Sequence, residues 1–139
     1  MIGHGNLERR MRMQNGEKMT PRDIHERAFE FACRIVRLHR TVSLKRGIGP
    51  LASQLLRSGT GIGSNLEEAK AAQSRADFIA KARVALKEAR EAHYWLRLFG
   101  ASEIVPMKRV ASLVQEANEI VAILTTIVLK AGTRKPALS

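Results

Sequence analysis

Apolar residues between positions 78 and 99 recur at alternating steps of four and three residues. Because an α-helix turns about 100° per residue, this spacing places them along one side of a helix. A seam of this length predicts a helix that packs into a bundle. The residues of the seam are Phe78, Ala82, Ala85, Ala89, Ala92, Leu96 and Phe99.

The same period predicts two helices before this one. The first is expected to begin with Thr20 as N-cap and Pro21 as first helical residue, and to end near Ser43. Its seam comprises Ile24, Ala28, Phe31, Ile35, Leu38 and Val42. The second helix is expected to begin at Pro50.

The third helix is expected to begin after a Ser74 cap and to end at Gly100, and a fourth follows from Ser102 or Pro106 to Gly132. Four helices with short turns predict an all-α protein, an antiparallel up-down-up-down four-helix bundle over residues 20–132. A mobile arm (residues 1–19) and a basic tail (residues 133–139) flank it.

Glycines at positions 59, 61 and 63 interrupt the apolar face of the second helix. Each costs roughly 1 kcal/mol relative to alanine inside a helix. Either a neighbouring helix backbone approaches closely there, or the helix is broken or kinked. A phosphate-binding loop is not predicted, because the spacing is not G-x-G-x-x-G and no strand precedes it.

The fourth helix is apolar most of the way round after Ile120, which favours burial on more than one side and hence oligomerisation. Val84 and Trp95 form an apolar flank of the third helix, beside two glutamates and opposite a basic flank. Two different flanks suit a head-to-tail contact that closes into a ring-like homo-oligomer.

A basic stripe on the third helix is the candidate nucleic-acid site, about 140° around the axis from the seam. Regularly spaced cations can bind the phosphates of a nucleic acid, and a tyrosine can stack on an unpaired base. The alternative is a solvated face on which Lys87 pairs with Glu91. The stripe consists of Arg83, Lys87, Arg90, Tyr94 and Arg97.

The chain carries 24 Lys and Arg against 13 Asp and Glu, a formal net charge of +11. Such an excess favours a polyanionic partner, RNA or DNA. The alternative is a protein-interaction scaffold on which the positive charge is incidental. A salt-dependent binding assay distinguishes the two.

Catalytic and metal-binding patterns are weak, so we expect no enzyme activity, no cofactor and no metal. The chain has a single cysteine, Cys33, and no Glu-x-x-His pair. One alternative is a ribonuclease with Arg34 on the phosphate and His39 as general base, the Arg-x4-His spacing of HEPN-class ribonucleases.

The N-terminal segment lacks the apolar stretch of a signal peptide. No charge-free run is longer than that of residues 120–129, which is far shorter than the ~20 residues that a membrane span needs. We therefore expect a cytoplasmic protein without a membrane partner.

Three motifs in order resemble a bacterial four-helix-bundle family, the proteins encoded in intervening sequences of 23S ribosomal RNA genes (S23-like). The motifs are Arg57-Ser58-Gly59-Thr60-Gly61-Ile62-Gly63-Ser64-Asn65-Leu66-Glu67-Glu68-Ala69, Ser74-Arg75-Ala76-Asp77-Phe78-Ile79, and Ala85-Leu86-Lys87-Glu88-Ala89-Arg90-Glu91 with Tyr94-Trp95-Leu96-Arg97-Leu98. The match covers about residues 22–130.

This resemblance implies a homopentameric ring of four-helix bundles without established enzymatic activity. The chain is similar also to the accessory protein of diversity-generating retroelements, a basic pentamer thought to bind nucleic acid and a reverse transcriptase. We interpret the polar motif residues Asn65, Glu68 and Glu88 as structural, through interhelical hydrogen bonds or through ion pairs with Arg57.

Overall fold

Four α-helices make up the part of the chain that the computed structural model describes, residues 23–133. They are α1 (Ile24–Val42), α2 (Gly49–Lys70), α3 (Arg75–Ala101) and α4 (Met107–Thr133). The predicted all-helical class and four-helix bundle are confirmed, and no strand occurs in this range. The predicted arm over residues 1–19 and tail residues 134–139 lie outside the described residues.

Side-chain caps fix two of the helix starts. Asp23 caps α1, where its carboxylate accepts a hydrogen bond from the His25 backbone N–H at 2.9 Å. The sequence pattern placed Asp23 inside the helix; Thr20 and Pro21 lie outside the described residues. Ser74 caps α3 as predicted, with Oγ 3.1 Å from the Asp77 backbone nitrogen.

The predicted helix ends at Gly100 and Gly132 are wrong. Helix α3 continues to Ala101, and Glu103 takes the left-handed conformation (φ 63°) expected of a glycine cap. Gly100 is buried, and a Cβ there would lie 2.6 Å from Met107 Sδ. Gly100 thus allows α3 and α4 to approach closely, while α4 runs through Gly132.

The core lies along the predicted seams. Six of the seven α3 seam residues are buried, and Phe78 packs against them half-buried. In α1, the seam is buried from Ala28 to Val42, while Ile24 is half-buried. Helix α4 buries Val110, Leu113, Ala117, Ile120, Leu124 and Val128, which recur at steps of three or four residues.

The α2 helix is continuous through its glycines, so the predicted close approach is confirmed and the predicted break is not found. A Cβ on Gly59 would lie 2.7 Å from Ile35 Cγ1 in α1. A Cβ on Gly63 would lie 3.7 Å from the Ala28 carbonyl carbon. Helix α1 therefore rests directly on the α2 backbone.

Each helix packs on the next along the chain, and α1 also contacts α4 through fewer residues. Polar bonds connect α1 with α4. The Arg27 guanidinium binds Glu116 at 2.6 and 3.0 Å, and Arg34 Nη2 donates to Ser112 Oγ at 2.7 Å. As residue numbers rise along α1, those of its partners in α4 fall.

Candidate nucleic-acid interface

The basic stripe lies on the outward face of α3, opposite the buried seam. Arg83, Lys87, Arg90 and Arg97 are exposed, and the Tyr94 ring is 53% exposed. Consecutive members stand three or four residues apart, about 4.5–6 Å along the axis. A polyanion lying along α3 would therefore meet a cation or the Tyr94 ring at each helical turn.

None of the four stripe cations forms an ion pair with a carboxylate among residues 23–133. The alternative pairing of Lys87 with Glu91 is absent, because the Glu91 carboxylate binds Arg57 in α2 instead. No carboxylate of the described residues thus compensates the positive charge of the stripe.

The carboxylates of α3 are engaged on the side that faces α2. Arg57 Nη1 lies 3.1 Å from Glu88, and Arg57 also donates to Glu91 and Gln54. The Glu91 hydrogen bond is the main reason that the pKa of Arg57 is raised. The expected Arg57–Glu88 pair is therefore confirmed.

Two other polar motif residues have structural contacts. The Asn65 amide donates to the Gly61 carbonyl oxygen within α2 at 2.8 Å, so its bond is intrahelical. Glu68 pairs with Lys81 of α3 at 2.9 Å. The Glu68 bond raises the pKa of Lys81.

Trp95 lies between the core and the surface. Its ring packs half-buried against the core and edge-to-face on Tyr94, with centroids 5.2 Å apart and planes at 77°. The indole Nε1 is buried without a hydrogen-bond partner among the described residues. Val84 on the same flank is 40% exposed, so this flank of α3 keeps some apolar surface.

His93 adjoins the stripe but adds no charge to it at neutral pH. Partial burial lowers the pKa of His93, and the positive charge of Arg97 lowers it further. The cationic character of the stripe thus comes from arginine and lysine alone.

The structure does not bring the proposed ribonuclease pair together on one side of α1. Arg34 reaches across to Ser112 in α4, and its pKa is lowered mainly by burial. His39, five residues later, lies about 140° around the helix axis from Arg34. A nuclease assay is the remaining test of this alternative.

Within residues 23–133, no group of three or more His, Cys, Asp or Glu side chains is placed to hold a metal ion. Cys33 is a free, half-buried thiol. An open cavity of about 350 Å³ lies at the start of α1, beside Asp23, Phe29, Glu67 and Lys70. Its lining is largely acidic, unlike the stripe.

Helix α4 is long and apolar enough to cross a membrane by length and composition alone. Its buried residues belong to the bundle core, and a core helix passes the same test. The length and apolar composition of α4 are therefore weak evidence of a membrane span.

A periodic pattern within one helix misses cations that two helices contribute jointly. Arg37 and Arg40 in α1 and Arg109 in α4 are exposed near the same end of the bundle. Counting the arginines and lysines near the predicted helix ends would have revealed this group from the sequence.

Comparison with known proteins agrees with this fold. The family model of the 23S rRNA-intervening sequence proteins matches residues 22–126. A crystal structure of a protein with unknown function from the S23 ribosomal protein family of Bacteroides thetaiotaomicron is 40% identical, with a TM-score of 0.73. The match covers 76% of this chain and 98% of that one. No functionally curated protein matches. The chain belongs to the 23S rRNA-intervening sequence protein family.

Proposed function

We propose that this protein is a non-enzymatic, oligomeric helical bundle that binds RNA or other nucleic acid through the basic stripe of α3. The observation that carries the proposal is the set of four exposed stripe cations without carboxylate partners among the described residues. Phosphates bind such cations and release counterions, which favours association.

The distribution of carboxylates supports this choice of face. Glu88 and Glu91 lie on the same helix as the stripe, yet both bind Arg57 on the α2 side. Phosphates approaching the outward face therefore meet cations without competition from these two acids. Tyr94 stands exposed among the cations, where a base of a single strand can stack.

We also propose that the four helices run antiparallel and that the protein forms a ring-like homo-oligomer. The opposite order of contacts between α1 and α4 supports an antiparallel up-down-up-down arrangement. An uncharged outer face of α4 supports a ring-like homo-oligomer, and the pentamer comes from the family resemblance. This face carries Ala111, Gln115, Asn118, Ala122, Thr126 and Leu129, all exposed in the single chain.

The proposed location is the cytoplasm, with no membrane, metal or cofactor as partner. The family link to 23S rRNA intervening sequences supports this location, because ribosomal RNA is made there.

The direct test is the double variant Lys87→Glu/Arg90→Glu, measured with a short single-stranded RNA across a salt series. We expect weaker binding to many sequences alike, because phosphate contacts carry no sequence information. The matched control is Lys70→Glu/Lys130→Glu, which reverses two exposed charges outside the stripe. Light scattering on the same samples reports whether the oligomer is intact.

Tyr94→Ala separates stacking from charge. If the ring stacks on a base, its loss weakens binding to single strands by about 1–3 kcal/mol and spares duplexes. Unchanged binding by Lys87→Glu/Arg90→Glu, with the mass unchanged, refutes the stripe as the site.

A protein-interaction scaffold is the second candidate function. The exposed Val84 and the half-buried Trp95, whose Nε1 has no partner among residues 23–133, favour a protein partner on that flank. Binding that ignores salt and survives the stripe variants would support the scaffold. Incubation with RNA, followed by a search for cleavage products, tests the ribonuclease alternative of Arg34 and His39.

A further inference from the structure

One end of the bundle gathers cations from α1, from the turn after it and from the start of α4. Residues 34–46 contain five arginines and lysines and no carboxylate. Lys45 of this cluster binds the Ile104 carbonyl oxygen. We call five other exposed cations of the cluster the basic end: Arg37, Arg40, Arg46, Lys108 and Arg109.

Two polar bonds bring these segments together. Arg34 Nη2 lies 2.7 Å from Ser112 Oγ, and Lys45 Nζ donates to the Ile104 carbonyl oxygen. Arg37 follows Arg34 by three residues in α1, and Arg109 precedes Ser112 by three residues in α4. Each of the two therefore lies about 4.5 Å closer to this end than the Arg34–Ser112 bond. Cations far apart in sequence thus share one surface.

Little negative charge offsets this surface. The five basic-end residues form no ion pair within the described part of the chain. Glu116, the carboxylate in α4 nearest to it along the helix, binds Arg27 further away. In the α3–α4 loop, Glu103 is the one carboxylate between residues 102 and 106.

Repulsion between like charges acts where this cluster begins, between Arg34 and Arg37. Partial burial lowers the pKa of Arg34, and the nearby charge of Arg37 lowers it as well, against the attraction of Glu116. Like charges held this close repel one another. A phosphate group placed among them would relieve that repulsion.

We propose that the basic end is a second nucleic-acid contact, which binds the phosphate backbone and does not read or stack on bases. The proposal rests on the nucleic-acid binding proposed for the protein. Residues 34–46 and 102–112 contain no Phe, Tyr or Trp, whereas the α3 stripe includes Tyr94. Without a stacking platform, duplex and single strand are held alike, through charge.

The test compares charge-neutralised full-length proteins on a short DNA duplex and on one of its strands. Arg40→Gln/Arg109→Gln removes two exposed basic-end cations, and Lys70→Gln/Lys130→Gln removes two exposed cations from the other end. Fluorescence anisotropy across a salt series gives the log-log slope. We expect the basic-end variant to lose about 1.8 from the duplex slope and about 1.4 from the single-strand slope.

A second pair keeps the test decisive if the first variant does not fold. Arg46→Gln/Lys108→Gln removes two other members of the basic end, and the same loss of slope is expected. Equal losses in the Lys70→Gln/Lys130→Gln control would overturn the basic end, because binding would then follow net charge alone.

The outcomes also separate this inference from the function on which it rests. Unchanged slopes in both basic-end variants, together with loss of binding in Lys87→Glu/Arg90→Glu, overturn the basic end and leave the α3 stripe standing. If the unmodified protein shows no salt-dependent binding, the proposed nucleic-acid function fails, and the basic end fails with it.

Discussion

Helix α1 contacts its two neighbours in opposite ways. Towards α2 it lies on glycines, with Ile35 over Gly59 and Ala28 over Gly63. Towards α4 it is joined by polar bonds, from Arg27 to Glu116 and from Arg34 to Ser112. The same helix is thus held by close packing on one side and by charge on the other.

The difference shows in what each side tolerates. On the α2 side Ile35 is fully buried, and interiors packed to crystal-like density leave little room for an added methyl group. On the α4 side fewer residues meet, and Arg27 and Glu116 each keep 15% of their side-chain surface exposed. We infer that the α1–α2 side fixes the helix spacing, while the α1–α4 side depends more on solvent conditions.

The largest effect is expected from Gly59→Ala. The new Cβ would lie 2.7 Å from Ile35 Cγ1, and a β-branched side chain in a buried seam cannot swing away. We expect a loss of roughly 1–3 kcal/mol in the free energy of unfolding, measured by urea denaturation at fixed protein concentration. Adding Ile35→Ala should give a favourable coupling energy in the double-mutant cycle. A Gly59→Ala protein as stable as the parent would contradict the close packing.

Glu116→Gln should weaken the other side of α1. The carboxylate makes two bonds to Arg27, and its removal leaves a partly buried guanidinium with Glu119 at 3.0 Å. We expect a loss of roughly 1–2 kcal/mol. Glu119→Gln is the matched control, because Glu119 is 49% exposed and makes a single bond to Arg27. Equal losses in the two variants would argue against a special role for Glu116.

Gly63→Ala should have the opposite sign to Gly59→Ala. A Cβ at this position meets Ala28 at 3.7–3.8 Å, an ordinary van der Waals distance, so alanine fits without displacement. Because alanine favours the helix and restricts the unfolded chain, we expect a gain of about 0.4–1 kcal/mol. Thermal melts of the two glycine variants side by side provide the measurement. A loss at Gly63 as large as at Gly59 would mean that all of α2 is equally tight.

The smallest effect is expected from Ser112→Ala, which removes the acceptor of Arg34 on the α1–α4 side. Ser64→Ala is the control, since Ser64 is exposed and its hydroxyl bonds within α2, to the Gly61 carbonyl oxygen. Both gain similar helix propensity, so their difference isolates the bond between α1 and α4. We expect the free energy of unfolding of Ser112→Ala to be about 0.5 kcal/mol lower than that of Ser64→Ala, measured by urea titration. No difference would mean that water replaces the hydroxyl fully.

Periodicity predicted most of the fold, because buried positions on a helix repeat with its turn. The seams of α1 and α3 and the Ser74 cap could be identified in this way. The ends at Gly100 and Gly132 could not, since a glycine serves equally as a cap and as a point of close helix approach. Only the packed structure shows that Met107 lies over Gly100.

The candidate stripe was also visible from spacing, and its exposure agrees with the predicted outward face. The Arg57–Glu88 pair was expected from the family motifs, but the sequence offered Lys87 as the partner of Glu91, which binds Arg57 on another helix instead. The basic end escaped detection for the same reason. Its members come from separate segments that become neighbours after folding.

The edge-to-face contact between Tyr94 and Trp95 provides an intrinsic fluorescent probe of the α3 face. The chain has one tryptophan and one tyrosine, so its near-ultraviolet emission comes from this pair. Their centroids are 5.2 Å apart, with Tyr94 exposed and Trp95 half-buried. A base that stacked on the tyrosine would change the surroundings of the indole. Occupancy of the α3 face therefore has an intrinsic fluorescence signal, without any attached dye.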